Sequence, residues 1–200
     1  VGEDVASSRV GQRVAIEPQR TCRSCKQCKA GRYNLCPNII FYAVPHVNGA
    51  FTQYVTIQDD FAFELPDNIS FEAGALLEPL SVAIWSCQRA AITVGSRVLI
   101  AGAGPIGVIL AQTARAFGAS EVIITDTVKS RREFALKFGA TRAIDPTKES
   151  LSGLDVDAFI DATGVGGAVY DGIKAVGPAG RAILVGMGDD DILLPVDYIQ

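Results

Sequence analysis

Histidine is almost missing from this chain: His46 is the one imidazole in 200 residues, and methionine and tryptophan also occur once each. Any metal or acid–base chemistry that needs two histidines must therefore draw on residues outside it. Positive charge is not in excess either, since 18 Lys+Arg face 22 Asp+Glu for a net charge of −4. No general attraction to nucleic acid or to an acidic membrane surface follows from that balance. Long hydrophobic runs are lacking too. The most apolar one, Val98 to Ala111, has 14 residues broken by three glycines and a proline, short of a bilayer span and suited to a buried strand leading into a helix. The chain opens at Val1 without a basic and apolar leader pattern, so no secretory signal is expected, and it begins and ends in mid-pattern, which reads as a fragment. A composition 48% apolar and 20% charged excludes disorder.

Cysteine is sparse but clustered. Four of the five cysteines lie between Cys22 and Cys36, and with no leader this points to a reducing compartment, read as the cytoplasm, where grouped thiols hold metal more often than they form disulfides. The pattern Cys22-x2-Cys25-x2-Cys28-x7-Cys36 lets three closely spaced thiols face one point while a fourth closes a tetrahedron around Zn²⁺. With all four positions filled, such a site is structural. Arg20, Arg23, Lys26, Lys29 and Arg32 interleave with the thiols and would offset thiolate charge. An iron–sulfur cluster is the alternative, although the bacterial ferredoxin run has a last gap of three residues and not seven. His46, in a Pro/Asn/Gly loop, and Cys87, on an apolar helix, read as solvent or packing residues.

The first part of the chain reads as β-rich, with strands over Arg13–Ile16, Phe51–Ile57 and Phe61–Leu65. Ser70 caps a short helix, Pro79 interrupts it so that Glu78 lies at a break, and a second helix runs from Ser81 to Ala91. From Val94-Gly95 onward strands and helices alternate, which specifies a parallel sheet with crossover helices. The pattern predicts strands at 97–101, 121–125, 142–144, 157–161 and 181–185, and helices at 105–117, 129–138 and 166–176, with Gly118 and Gly139 ending the first two helices.

Gly102-Ala103-Gly104-Pro105-Ile106-Gly107 joins a strand to a helix, the setting in which a glycine-rich turn carries dinucleotide phosphates on a helix N-terminus. Asp126 follows Gly102 by 24 residues at the end of the next strand, where its carboxylate can accept the ribose hydroxyls of NAD and repel a 2′-phosphate. Arg131 and Arg132 nearby leave NADP open. Thr163-Gly164 and Val185-Gly186-Met187-Gly188 lie at carboxyl ends of further strands, where ligands bind in such sheets.

A cysteine lobe of this spacing upstream of a glycine-rich NAD motif resembles the zinc-containing medium-chain dehydrogenase/reductase family, in its polyol (sorbitol, xylitol, L-arabinitol) dehydrogenase branch. The strings that carry the resemblance are Gly31-Arg32-Tyr33-Asn34-Leu35-Cys36-Pro37, Leu65-Pro66-Asp67-Asn68-Ile69-Ser70-Phe71-Glu72, Glu78-Pro79-Leu80-Ser81-Val82 and Gly102 to Gly107. The resemblance implies a GroES-like β-rich catalytic domain, partial, over 1–82, and a Rossmann doubly wound parallel sheet, partial, over 83–200, with a site between them. It implies that Glu78 stands beside or on a catalytic zinc whose other ligands precede this chain, and that Phe41 lines the substrate pocket. The implied reaction is NAD-linked oxidation of a secondary alcohol of a polyol to a ketose, in a homo-oligomer, a tetramer, with the present chain alone inactive. An L-threonine or simple alcohol dehydrogenase of the same plan is the nearest alternative. A zinc-knuckle nucleic-acid module is the alternative of another class, disfavoured by net acidity.

Overall fold

The apolar positions of the second half fall in short, glycine-bounded runs, and a run apolar at every position can be buried only if both faces of its sheet are covered. The computed structural model describes residues 1–188 and 191–199 and divides at Glu78/Pro79 into two units.

The first unit, Val1–Glu78, holds short strands β1 (Val14–Ile16), β2 (Gln19–Arg20), β3 (Ile40–Phe41) and β4 (Ala62–Glu64), with helices α1 (Lys26–Lys29) and α2 (Phe71–Ala75). β1 pairs antiparallel with β4, and β2 with β3, in two separate two-stranded sheets. Few side chains here are buried, chiefly Cys36, Phe61, Leu65 and Gln19. The strand expected over Phe51–Ile57 does not form. Apolar alternation makes a strand only where a neighbour offers a hydrogen-bonding edge, and among the described residues none runs beside it, so Phe51 and Tyr54 stand exposed.

A second correction concerns Glu78. Ser70 caps α2 as expected, its hydroxyl accepting from the Ala73 N–H at 3.1 Å. The next helix, α3, already spans Leu77–Arg89, so Glu78 and Pro79 sit in its first turn and the break falls at Leu76. The first N–H groups of a helix have no intrahelical acceptor, so proline removes nothing there and need not push its predecessor out of the helix.

The second unit, Pro79–Gln200, is built on β5 (Arg97–Ala101), α4 (Pro105–Ala116), β6 (Glu121–Thr125), α5 (Lys129–Lys137), β7 (Arg142–Ile144), β8 (Val156–Asp161), α6 (Gly166–Lys174) and β9 (Val176–Leu184). The strands form one parallel sheet in the order β7-β6-β5-β8-β9. Side chains alternate across it: Val98, Ile100, Val122, Ile124 and Ile160 join Leu110 and Ala114 on one face. Leu99, Ile123, Ile144 and Phe159 join Val169 and Ile173 on the other. That two-sided burial is the doubly wound arrangement expected for this region. Gly118 and Gly139 both take positive φ past the ends of α4 and α5. β9 starts five residues earlier than the apolar pattern indicated and α6 ends at Lys174, because a register shift near Val156/Ala158 lets Val176 pair before the regular ladder resumes at Arg181.

Candidate metal centre and dinucleotide site

The thiols meet without help from a large core. Cys25 caps α1, its sulfur accepting from the Cys28 N–H at 3.4 Å, and Arg23 takes a positive φ of 59° that turns the chain between the first two cysteines. The Cys25 N–H points to Cys22 Sγ at 3.4 Å and the Cys22 N–H to Cys36 Sγ at 3.5 Å. All four sulfurs then lie within 4.8 Å of one another, with Cys22 and Cys28 4.0 Å apart. Four Zn–S bonds of about 2.3 Å place sulfurs about 3.8 Å apart, so this set fits a tetrahedral zinc with small closure. Backbone N–H groups, that of Ser24 foremost, draw the Cys22 thiol down to about 5, whereas burial pushes Cys28 up to about 11. Among the described residues these cysteines form the one group of three or more potential ligands gathered in this way, and Glu78 lies outside it.

Glu78 is exposed on α3 and lines a cleft of about 330 Å³ in the first unit with Val14, Ile16, Leu65, Phe71 and Leu77. Phe41 is half-buried on β3 and is not among the residues of that cleft. His46 is exposed and Cys87 fully buried, as their surroundings in the sequence suggested.

In the second unit the glycine turn has distinct physical demands at each position. Gly102 adopts φ +95° and donates its N–H to Thr125 O at 2.8 Å. A Cβ on Gly107 would stand 1.8 Å from Gly102 O, so only glycine allows α4 to close on the turn. Gly104 has open space where a Cβ would be, leaving the backbone approachable at the N-terminus of α4, where Pro105 occupies the first turn and Ile106 packs on the core. The arrangement fits a pyrophosphate.

Asp126 stands directly beside this turn. Its Oδ2 accepts from the Ala103 N–H at 3.0 Å, its Oδ1 from the Val128 N–H at 2.8 Å, and Arg131 Nη1 lies 3.8 Å from Oδ2. Each carboxylate oxygen has further lone pairs, so acceptor capacity remains for ribose hydroxyls. The other two loops meet as well: a Cβ on Gly186 or Gly188 would run into Gly164 backbone, and Gly102 packs against Thr163, while Val185 is half-buried and Met187 exposed. Sequence reasoning missed what clamps these loops. Asp161, fully buried, accepts from the Thr163 N–H and hydroxyl and from the Gly164 N–H, and its own carbonyl accepts from Val185 and Gly186. Asp126, Asp145 and Asp161 all accept from the N–H two residues on, at the carboxyl ends of β6, β7 and β8. Asp-x-Thr at a strand end was the available signal.

A closed thiol site in one unit and a glycine turn with its acidic partner in the other define a zinc-binding, dinucleotide-binding α/β class. Comparison with known proteins narrows it. Residues 1–67 match the alcohol dehydrogenase GroES-like domain and residues 105–199 the zinc-binding dehydrogenase family. A protein described as probable D-xylulose reductase A from Aspergillus fumigatus is 40% identical, the alignment covering 98% of this chain and 58% of the relative. D-xylulose reductase A from Aspergillus oryzae is 38% identical, with the same coverage of 98% and 58%. Among solved structures, a short chain alcohol dehydrogenase from Escherichia coli complexed with NADH superposes with a TM-score of 0.91 at 28% identity, covering 100% of this chain and 61% of that one. Galactitol-1-phosphate dehydrogenase from the same species gives 0.90 at 27% identity, covering 100% and 60%. A zinc-binding dehydrogenase from Sinorhizobium meliloti bound to NADP gives 0.89 at 30% identity, covering 99% and 60%. The chain belongs to the zinc-containing medium-chain dehydrogenase/reductase family, and it spans 58% of the length of the curated relatives named here. The four-thiol set fits a zinc ion, and the glycine turn with Asp126 fits a dinucleotide. No helix among the described residues is long and apolar enough to cross a membrane.

Proposed function

We propose that the protein carrying this chain is a zinc-dependent oxidoreductase that oxidises a secondary alcohol of a polyol to a ketose with NAD⁺. The observation that carries the reading is Asp126 bonded to the Ala103 N–H at 3.0 Å within the glycine turn, which sets a carboxylate where the adenosine ribose would lie. The polyol class is supported by the relatives: a reductase named for D-xylulose acts on a ketose, and the reverse of that chemistry is oxidation of a polyol.

When bound, zinc supplies Lewis acidity to the alcohol and nicotinamide supplies the hydride acceptor. The chain's own residues do the rest. Cys22, Cys25, Cys28 and Cys36 hold a structural zinc; Gly102, Gly104, Pro105, Ile106 and Gly107 bind pyrophosphate; Asp126 with Arg131 binds ribose. Thr163, Gly164, Val185, Gly186 and Met187 border the rest of the dinucleotide. Glu78 serves as a carboxylate toward the catalytic metal and Phe41 as an apolar contact for substrate. A homo-oligomer, a tetramer, in the reducing cytoplasm completes the proposal, and the five cysteines, none in a disulfide, suit that setting.

Calorimetric titration of the chain with NAD⁺ and NADP⁺, and a panel of xylitol, sorbitol and L-arabinitol assayed for NADH formation by the protein carrying it, test this. Tighter NAD⁺ binding, reversed toward NADP⁺ by Asp126→Ser, is the expected result. Preference for NADP⁺ in the unaltered protein would overturn the cofactor assignment, and inertness toward every polyol the substrate assignment.

A further inference from the structure

Two adjacent arginines follow the ribose-facing carboxylate, and they end up in opposite situations. Arg131 is 59% exposed and reaches only to 3.8 Å from Asp126 Oδ2. Arg132 is 14% exposed and held at both arms: its Nη1 donates to the Asp126 carbonyl at 2.6 Å, and its Nη2 lies 3.2 Å from Asp145 Oδ2. Asp145, only 10% exposed, is itself fixed, because its Oδ1 accepts from the Thr147 hydroxyl at 2.6 Å and from the Thr147 N–H at 3.2 Å, with Lys148 Nζ 3.3 Å from Oδ2. The Asp126 N–H in turn donates to Ile144 O at 3.2 Å, so the peptide groups on both sides of Asp126 are tied to the end of β7.

We propose that Arg132 and Asp145 are a specificity-determining pair, which holds Asp126 in place and withholds the Arg132 charge from any 2′-phosphate. The inference rests on the dinucleotide reading above. A guanidinium beside the ribose commonly accommodates a 2′-phosphate, since its fork of donors suits phosphate oxygens. Here one arm of that fork is held by a backbone carbonyl and the other by a carboxylate, so the guanidinium is fixed in position and its charge is already paired. The same contacts fix the Asp126 backbone, from which its carboxylate reaches the Ala103 and Val128 N–H groups. Asp145 touches no cofactor atom in this account and acts as a positioning residue through Arg132.

The test compares NAD⁺ and NADP⁺ dissociation constants, by calorimetry on the full zinc-loaded chain, for the unaltered protein, Asp145→Asn, and Asp145→Asn combined with Arg132→Met. Asp145→Asn keeps the shape and the contacts to Thr147 but leaves Arg132 without its counter-charge. It should move the affinity ratio toward NADP⁺ by roughly three- to tenfold, the size expected when one partly screened charge is freed near a phosphate. The double variant should return the ratio toward that of the unaltered protein, because the released cation is gone. A ratio unchanged in Asp145→Asn, with both affinities falling together, would reduce the pair to a structural role and overturn the proposal. So would a gain for NADP⁺ that survives in the double variant. If Asp145→Asn does not fold, Arg132→Lys decides the matter. An ammonium cannot serve the Asp126 carbonyl and Asp145 as the two ends of a guanidinium do, so NAD⁺ affinity should fall at least roughly threefold, and an unchanged affinity overturns the proposal. If the unaltered chain binds neither dinucleotide, the dinucleotide reading itself falls and takes this inference with it.

Discussion

The two units reach stability by different routes. In the second, β5, β6 and β8 bury apolar side chains on both faces, and Phe159, Leu99, Ile100, Ile123 and Ile124 are wholly inside. In the first, Phe51, Tyr54, Phe63, Phe71 and Leu76 are exposed, the strands are two or three residues long, and the sulfur cluster gathers segments that little apolar burial holds. A sheet covered on both sides supports itself; two-stranded sheets do not. The difference teaches that the sulfur cluster is what ties these segments of the first unit together, and on the zinc assignment proposed above removing the metal should act on that unit and not on the other.

The strongest way to break that comparison is to remove the metal. Structural zinc binding is worth on the order of 10 kcal/mol in small domains and is coupled locally to folding. Chelation, or Cys36→Ser, should therefore make the segment around Cys22–Cys36 open to protease while residues 97–184 stay protected from hydrogen exchange. Loss of protection in both halves together would mean that the units are not independent. The converse experiment is smaller. Phe159→Ala removes a ring that is fully buried in the second unit and against which Gly172 of α6 packs so closely that a Cβ would stand 2.1 Å away. A cost of about 3–5 kcal/mol is expected in urea denaturation followed through the second unit, with bound zinc unchanged by elemental analysis.

The same contrast explains which features were legible in the sequence. Strands β5 to β8 were readable to within a residue because burial on both faces imposes continuous apolar runs bounded by glycine. Gly102 and Gly107 were readable because a positive φ and close approach leave glycine no substitute. Cysteine spacing was readable because a metal imposes geometry independent of the fold. Phe51–Ile57 misled, since alternation reports apolar faces and not whether a partner strand is present. Glu78 misled because Pro79 in a first helical turn and Pro79 at a break look alike in sequence. Asp145 and Asp161 escaped notice because an aspartate at a strand end resembles any loop polar residue until its N–H donors are seen.

Asp145 supplies a prediction of intermediate size. The Thr147 hydroxyl, with Lys148 and Arg132 beside it, holds its carboxyl at about 2, below the ordinary 3.8. A depressed folded-state value means that the stability it contributes is fully present above the unfolded value and is lost as pH falls from about 4 to about 2. The second unit should therefore become less stable across that window by more in the unaltered protein than in Asp145→Asn. Equal slopes in urea denaturation at pH 4 and pH 2.5 would show that the contacts of Asp145 with Thr147, Lys148 and Arg132 are not formed in solution.

The smallest effect sharpens the comparison most, because it asks whether ion pairs, and not zinc, stand in for the missing core of the first unit. Arg23 and Asp60 are the natural candidates: Arg23 lies between the first two cysteines, its Nη2 is 2.6 Å from Asp60 Oδ1, and its guanidinium sits over the Phe61 ring at 5.6 Å. The distance suggests a strong tie across the lobe, yet the two side chains are 51% and 57% exposed. Water and salt screen such a pair, and ordering two flexible side chains offsets much of the Coulomb gain, so exposed pairs contribute about 0.2–1 kcal/mol. Asp60→Asn should accordingly shift the protease sensitivity of Cys22–Cys36 by less than a factor of about five, which is 1 kcal/mol, and the shift should vanish at high salt. Zinc content should stay at about one per chain, since neither Arg23 nor Asp60 supplies a ligand to the closed four-thiol site. A loss as large as that produced by Cys36→Ser would instead make the charge pair, and not the metal, the element that holds this lobe together.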